Sequence, residues 1–340
     1  MIYFLLALLF VSCQIPDSTH VETRSDGTTA FSGNAMTMHY KILIGDSLSK
    51  PQIIKINEII HNTFGDIDAT FNKWNPNSEL SKLNALKSGI TTPLSSDLSR
   101  LFRDADEIVA LSNGKFDPTI EPLQALWKGK LEKGTIPTEA EVQSIAPAIG
   151  WDKISFIDAT FTKSNDLTQL DFGGIAKGLS VDMLVERLNA SGFKNLYVEW
   201  GGEIRATGKH PQGRFWTVYI SRLGDTDPDN AISMLHLDDQ AIATSGDYLQ
   251  NWTIKHSVSD EIARPITYFH IFDPVTLRPI EASYTSVASV SVVAPSCALA
   301  DGLATIAMMF PTVPEAALWA EGIKKQSPEI SFWIVSREQL

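Results

Sequence analysis

Three short stretches of this chain carry residue types that can do chemistry. The first is Leu170-Asp171-Phe172-Gly173-Gly174-Ile175-Ala176-Lys177-Gly178, where an acid, two glycines and a lysine-glycine pair lead into a helical run over 179–188. Adjacent glycines let backbone approach a ligand closely, and the first turn of a helix offers unpaired N–H groups to an anion. Asp171 would stand at the mouth of such a site and Lys177 in its first turn. The stretch matches neither the dinucleotide fingerprint G-x-G-x-x-G nor the P-loop G-x-x-x-x-G-K-[ST]. Its plainer reading is a tight strand-to-helix turn whose acid caps the helix.

The second stretch is Ala298-Leu299-Ala300-Asp301-Gly302-Leu303-Ala304-Thr305, in which Asp301 and Thr305 stand four apart and share one face of a predicted helix. One carboxylate and one hydroxyl with no His or Cys nearby suit a hard ion such as Mg²⁺ or Ca²⁺. The alternative is a helix start with Asp301 as a satisfied polar residue. The third stretch is Tyr268-Phe269-His270-Ile271-Phe272-Asp273-Pro274, a strand running into an Asp-Pro turn. His270 can serve as a general base because its unperturbed pKa is near neutrality, although a lone strand histidine is more often structural. The sequence has no G-x-S-x-G elbow, no H-E-x-x-H and no EF-hand loop.

The elements that must position these residues follow from periodicity. Residues 36–44 (MTMHYKILI) read as the first strand, and 51–74 carry a helical apolar stripe broken by Trp74-Asn75-Pro76-Asn77. A shorter helix starts at Ser78-Glu79-Leu80-Ser81, and another over 96–112 ends at Asn113-Gly114. Phe116-Asp117-Pro118-Thr119 is a loop entering 122–127, and 138–149 is helical with Thr138 and Glu141 as a capping box. Strands are expected over 153–157, 161–162, 195–200, 204–207, 215–221, 233–237, 241–247, 268–272, 286–293 and 330–335, with helices over 298–310 and 313–323. The fold class is therefore α/β (α+β), a single domain over 31–340 with a helix-rich first half and a mixed, largely antiparallel sheet in the second half.

Composition sets outer limits. A chain of 340 residues with 44% hydrophobic and 20% charged residues supports a substantial core. A formal charge of −12 argues against nucleic acid as a partner, because a phosphate-binding surface needs a basic excess. Two cysteines, Cys13 and Cys297, exclude a disulfide framework and a cysteine-rich metal site; Cys297 reads as a buried small residue. Residues 2–11 are nearly all apolar, too short for a comfortable membrane span but suited to a signal peptide over 1–12. Phe10-Val11-Ser12-Cys13 resembles a bacterial lipobox with Phe10 where leucine is usual, making Cys13 the lipidation site. The alternative is a plain secretory signal with a chance cysteine. Residues 13–30, rich in Ser, Thr, Asp and Gly, read as a flexible tether. Both readings export the protein; the lipoprotein reading anchors it to a membrane, facing the periplasm or outer side of the bacterial inner membrane.

Taken in order, these stretches resemble the ApbE family of flavin transferases. The resemblance runs through Met36, Trp74-Asn75-Pro76-Asn77-Ser78-Glu79-Leu80 and Gly114-Lys115-Phe116-Asp117-Pro118-Thr119. It continues through the Asp171 to Gly178 turn, Trp200-Gly201-Gly202-Glu203-Ile204, Thr244-Ser245-Gly246-Asp247-Tyr248, His270-Ile271-Phe272-Asp273-Pro274 and Ala300-Asp301-Gly302-Leu303-Ala304-Thr305. It implies that FAD is cleaved at its pyrophosphate with Mg²⁺ and that FMN is attached to a threonine of a partner flavoprotein, releasing AMP. By position it implies that Met36, Trp74, Lys115, Phe116, Asp117, Asp171, Lys177 and Phe272 line the FAD site. Asp301 and Thr305 would hold the metal with backbone oxygen from Gly174 and Ala304. His270 matches the histidine proposed to activate the incoming threonine. Trp74 stands where the family often has tyrosine, and Ala304 where some members have an acid. The alternatives are an FAD pyrophosphatase releasing FMN and AMP, and a non-catalytic flavin-binding lipoprotein.

Overall fold

In a computed structural model describing residues 19–222, 227–246, 250–254 and 265–337, the chain is organised round an eight-stranded sheet. It opens with β1 (His20–Thr23), β2 (Thr29–Ala35) and β3 (Met38–Ile44), then α1 (Lys50–Thr70), α2 (Glu79–Ala85), β4 (Thr92–Pro93) and α3 (Ser96–Leu111). Next come α4 (Glu121–Leu131), α5 (Glu139–Ile145), β5 (Ile154–Ile157), β6 (Thr160–Lys163), α6 (Ala176–Ala190), β7 (Leu196–Trp200) and β8 (Glu203–Thr207). The remainder is β9 (Trp216–Ile220), β10 (Ser233–Leu237), β11 (Ala241–Gly246), β12 (Asn251–Ile254), β13 (Ile266–Asp273), β14 (Arg278–Glu281) and β15 (Val287–Ala294). Last are α7 (Cys297–Met308), α8 (Val313–Gln326) and β16 (Ser331–Ser336). The main sheet runs β1-β2-β3-β7-β8-β11-β15-β16, antiparallel at every pairing.

One face of that sheet carries α6 and α7, which pack on each other and on β7, β8, β11 and β15. α1 and α3 then cover these two helices; α7 is nearly apolar all round, as a sandwiched helix must be, while α6 buries its apolar residues and still carries Lys177, Glu186 and Arg187. The opposite face is covered by the β9–β10 hairpin, with Trp216, Val218 and Leu237 seated on Leu43, Tyr197 and Ile242. β15 is buried at every position because both its faces are covered. A third layer packs α4 and α5 against the β12-β13-β14 sheet around Trp127, Tyr268 and Phe272, and Trp127 Nε1 donates to the Leu277 carbonyl at 3.0 Å.

Local chemistry explains the boundaries. Ser78, Ser95 and Thr138 accept backbone N–H bonds at the starts of α2, α3 and α5, and Glu141 completes the box with Thr138. α3 stops where Asn113 and Gly114 take φ of 53° and 81°. These match expectation.

Two expectations are corrected. Met36 is not in a strand: Ala35 pairs with Met38, so Met36-Thr37 is a two-residue hairpin turn with φ of 47° and 68°. Both residues sit in the left-handed region demanded by a type I′ turn, without the usual Asn-Gly signal. Nor is all of 13–30 a tether. β1 and the start of β2 lie within it, joined by a turn in which Asp26 Oδ1 accepts from the Thr28 N–H at 3.0 Å and hydroxyl at 2.7 Å. β1 is an edge strand, so its outward side is polar and its sequence hides a strand behind linker-like composition. Hence the helix-rich first half still contributes three strands to the main sheet, through β3 and β7. Cys13 and the signal segment lie outside the described residues, as do Asp247 and Tyr248.

Candidate active site

The Asp171 to Gly178 turn, α7 and β13 meet round a cavity of about 320 Å³. Phe116 and Asp117 line it from the loop before α4, and Lys128 from α4 itself. Gly174 and Lys177 come from the α6 entry, Thr244 and Ser245 from β11, His270 and Phe272 from β13, and Asp301 and Thr305 from α7. Segments distant in sequence thus converge because α6 and α7 are neighbours on the sheet and β13 closes over them.

Each position is fixed by its own contacts. Asp182, fully buried in α6, accepts the Cys297 N–H on Oδ1 at 2.9 Å and the Ala298 N–H on Oδ2 at 3.0 Å, capping α7. Arg205 from β8 donates to Asp182 Oδ1 at 2.6 Å. Gly178 N–H donates to Asp301 Oδ2 at 3.1 Å. Glycine at 174 lets the backbone pack closely: a Cβ there would lie 3.0 Å from Phe116 Cε2 and 3.1 Å from Thr305 Oγ1, so those side chains would have to shift. Its carbonyl accepts from the Thr305 hydroxyl at 3.4 Å, and Ser245 Oγ stands 3.3 Å from the same hydroxyl.

The electrostatics fall into two clusters. Lys177 bonds Glu203 and stands 3.8 Å from Asp301 Oδ1. Burial works against its charge, but Asp301 and Glu203 outweigh it and hold the ammonium's pKa above its ordinary value. Burial pushes Glu203 up to about 7 and raises Asp301, with Lys177 opposing both. In the second cluster Lys73 Nζ donates to Glu121 at 2.5 Å and Asp171 at 2.7 Å. Burial opposes ionisation of Asp171, yet Lys73 and the Gly173 N–H at 2.6 Å hold its pKa below the ordinary value.

His270 is half-buried. Burial lowers its pKa, with Lys128 and Lys177 adding to the shift, so the ring is neutral at pH 7. Its Nδ1 lies 3.3 Å from the Gln250 carbonyl, which only accepts; the tautomer that satisfies this contact leaves Nε2 free as a base.

Of the residues expected at the site, Phe116, Asp117, Asp171, Gly174, Lys177, His270, Phe272, Asp301 and Thr305 share this cavity. Trp74 does not. It is 78% exposed and lines a separate groove with Lys73 and Glu121, joined to the cavity through the Lys73–Asp171 pair. Lys115 lies to one side, 4.8 Å over the Phe310 ring. Met36 is on its hairpin turn and Ala304 is a fully buried core residue of α7, so neither side chain lines the cavity. Ala304 could act only through its carbonyl. The donor set of a carboxylate, a hydroxyl and carbonyl oxygens fits a hard divalent cation, with no group of three or more His, Cys, Asp or Glu among the described residues to suit a softer one.

Sequence reasoning missed Lys73, Lys128, Asp182 and the role of Glu203. Lys73 meets partners 48 and 98 residues away, which no local spacing reveals. Asp182 did leave a signal: it is a lone acid within the apolar run Val181, Met183, Leu184 and Val185.

The family model described as ApbE family matches residues 36–328. A protein of Chlamydia pneumoniae named FAD:protein FMN transferase is 39% identical over 299 residues, covering 87% of this chain and 90% of that protein. One of the same name from Chlamydia trachomatis is 38% identical over 319 residues, covering 93% and 92%. The apo crystal structure of Pseudomonas stutzeri flavinyl transferase ApbE superposes with a TM-score of 0.76 at 28% identity, covering 94% of this chain and 93% of that one. The chain belongs to the ApbE family.

Proposed function

We propose that this protein is an FAD:protein FMN transferase, which cleaves FAD and joins its FMN half to a threonine of a partner flavoprotein. The observation that carries this is the convergence of Lys177, His270 and the Asp301–Thr305 face on one cavity beside the Asp171 turn. The threonine oxygen forms a bond to the FMN phosphorus, the pyrophosphate P–O bond breaks, and AMP leaves with the bridging oxygen. His270 Nε2 takes the threonine proton, which its lowered pKa permits at neutral pH. Lys177, in the first turn of α6, offers positive charge to the pyrophosphate. Asp171, held ionised by Lys73, and the Phe116 and Phe272 rings orient the rest of the cofactor. Asp301, Thr305 and the Gly174 and Ala304 carbonyls would hold Mg²⁺, or Ca²⁺ in its place, which supplies charge neutralisation at the phosphates.

The test is incubation with FAD, Mg²⁺ and a partner carrying the acceptor threonine. The expected product is a partner heavier by one FMN, with AMP released in equal amount. Bound FAD with no transfer would overturn the reading, and FMN release without a partner would make the protein a pyrophosphatase.

The apolar run before Cys13 supports an exported, lipid-anchored protein. Mass spectrometry of the mature N-terminus tests this: a diacylated Cys13 is expected, and an unmodified thiol would leave a plain secretory signal.

A further inference from the structure

Glu203 opens β8 directly after the Gly201-Gly202 turn and is 1% exposed. Its Oε1 accepts from the Lys177 ammonium, while Oε2 is buried without a hydrogen-bond partner among the described residues. Such an oxygen is costly to keep, so this carboxylate is not explained by stability alone. The turn is shaped round it: Gly201 has φ of +65°, and a Cβ there would lie 3.1 Å from Met38 Sδ and 3.3 Å from Glu203 Oε2.

Lys177 has a second acid within reach. Its Nζ is 3.8 Å from Asp301 Oδ1, too long for a hydrogen bond. Asp301 Oδ2 is engaged by the Gly178 N–H, which leaves Oδ1 as the oxygen with capacity to spare. We propose that Glu203 is a positioning residue that holds the Lys177 ammonium off Asp301 and so keeps Oδ1 available to a divalent cation. This rests on the metal reading of the Asp301–Thr305 face.

The physical reason is competition between two acids for one cation. Both acids attract the ammonium, but only Glu203 hydrogen-bonds it, and that contact keeps it at 3.8 Å from Asp301 Oδ1, short of a hydrogen bond. Remove the charge on Glu203 and Lys177 has a single nearby counter-ion. It then closes on Asp301 Oδ1, and an incoming metal ion must displace it.

The experiment is a titration with Mn²⁺ in the absence of FAD, read by electron paramagnetic resonance. Glu203→Gln, which keeps the side chain's shape, is expected to weaken Mn²⁺ binding at least about tenfold. Adding Lys177→Met to it removes the competitor and should return the affinity to within about threefold of the unaltered protein. A Glu203 that only supported the fold would give no such recovery. Mn²⁺ binding by Glu203→Gln within about twofold of the unaltered protein would overturn the role, as would a double variant as weak as the single. Should Glu203→Gln fail to fold, Glu203→Asp, whose shorter reach loosens the pair, is expected to show the same loss and the same recovery. No Mn²⁺ binding by the unaltered protein would overturn the metal reading and this role together. Normal Mn²⁺ behaviour with no flavin transfer would overturn the transferase alone.

Discussion

Gly178 in α6 donates its backbone N–H to Asp301 Oδ2 in α7 at 3.1 Å, and its missing side chain brings α6 against the backbone that opens α7. A Cβ on Gly178 would lie 2.3 Å from the Cys297 carbonyl oxygen and 2.8 Å from the Ala298 nitrogen, both backbone atoms. Asp182, one turn further along α6, fastens the first N–H groups of α7. The helix that carries Lys177 is therefore also the template that sets where Asp301 stands.

Gly178→Ala is expected to force the helices apart. Alanine gains about 1 kcal/mol of helix propensity over glycine. Overpacking against backbone that cannot rotate away costs about 1–3 kcal/mol, and at a 2.3 Å approach the upper end applies. The net effect is a lower urea midpoint together with a larger fall in flavin transfer, because Asp301 moves with α7. An unchanged midpoint would mean that α6 does not pin α7.

Asp301→Ala is expected to cut flavin transfer by about 10³-fold or more, since it removes the carboxylate that would hold the metal. Removing one partner of a buried ion pair usually costs about 3–5 kcal/mol, but here Lys177 keeps Glu203 as its counter-ion. Stability should therefore fall by only about 1–3 kcal/mol, the cost of leaving the buried Gly178 N–H without its acceptor. Thermal unfolding beside the transfer assay separates the two effects, and unchanged transfer would remove Asp301 from the mechanism.

Much of this was legible in the chain, and the losses have physical causes. Helices with side-chain caps, such as those starting after Ser78, Ser95 and Thr138, are readable because capping is a local interaction. The Asp301–Thr305 face is readable because one helical turn fixes it. Strand β1 was hidden because an edge strand tolerates linker-like composition, and the Met36-Thr37 turn because both its left-handed residues lack the usual glycine or asparagine. The Lys73–Asp171 and Lys177–Glu203 pairs were hidden because tertiary contacts leave no spacing to read. Asp171 and His270 stand out by residue type and Phe116 through resemblance, whereas their meeting in one cavity follows only from the packing of α6, α7 and β13.

His270 sets the acid side of the pH profile. Its folded pKa is lowered, by burial first, so the base form persists to a pH below its ordinary 6.5. The rate should rise with pH along an acid limb whose midpoint lies below 6.5 and be level above neutrality. His270→Gln is expected to lose that limb and about 10²–10⁴-fold of the rate. The same shift means that the unfolded chain binds this proton more readily, so stability falls as pH drops below 6.5. A limb that survives in His270→Gln would assign the base elsewhere.

Asp104, on α3 beside Arg100, gives a prediction independent of catalysis. Burial raises its pKa from 3.8 to about 6, with Asp182 and Glu107 adding and Arg100 opposing. A raised carboxylate binds its proton more tightly in the folded state, so its ionisation costs stability as pH rises from about 4 to about 6. Asp104→Asn should therefore be more stable above pH 6 by about 1–2 kcal/mol, allowing for screening at a 30% exposed side chain. Below pH 4 the two should coincide. Urea unfolding at pH 4 and pH 8 checks this, and an equal difference at both would exclude a titration effect.

Trp74 tests whether the second groove belongs to the site. At 78% exposure it contributes little to the fold, and its visible contact is Lys73 Nζ, 5.0 Å above the ring. A large aromatic left in water beside the Lys73–Asp171 bridge has area to offer a planar ligand that continues out of the cavity. Stacking of this kind is worth about 0.5–1.5 kcal/mol, so Trp74→Ala should raise the KM for FAD roughly 2–10-fold. Because the ring lines a groove separate from the cavity that holds His270, kcat at saturating FAD should hold, and stability should stay within about 0.5 kcal/mol. Trp74→Phe should restore the KM, since stacking needs the face and not the indole N–H. A fall in kcat with unchanged KM would instead make Trp74 part of how the acceptor protein docks.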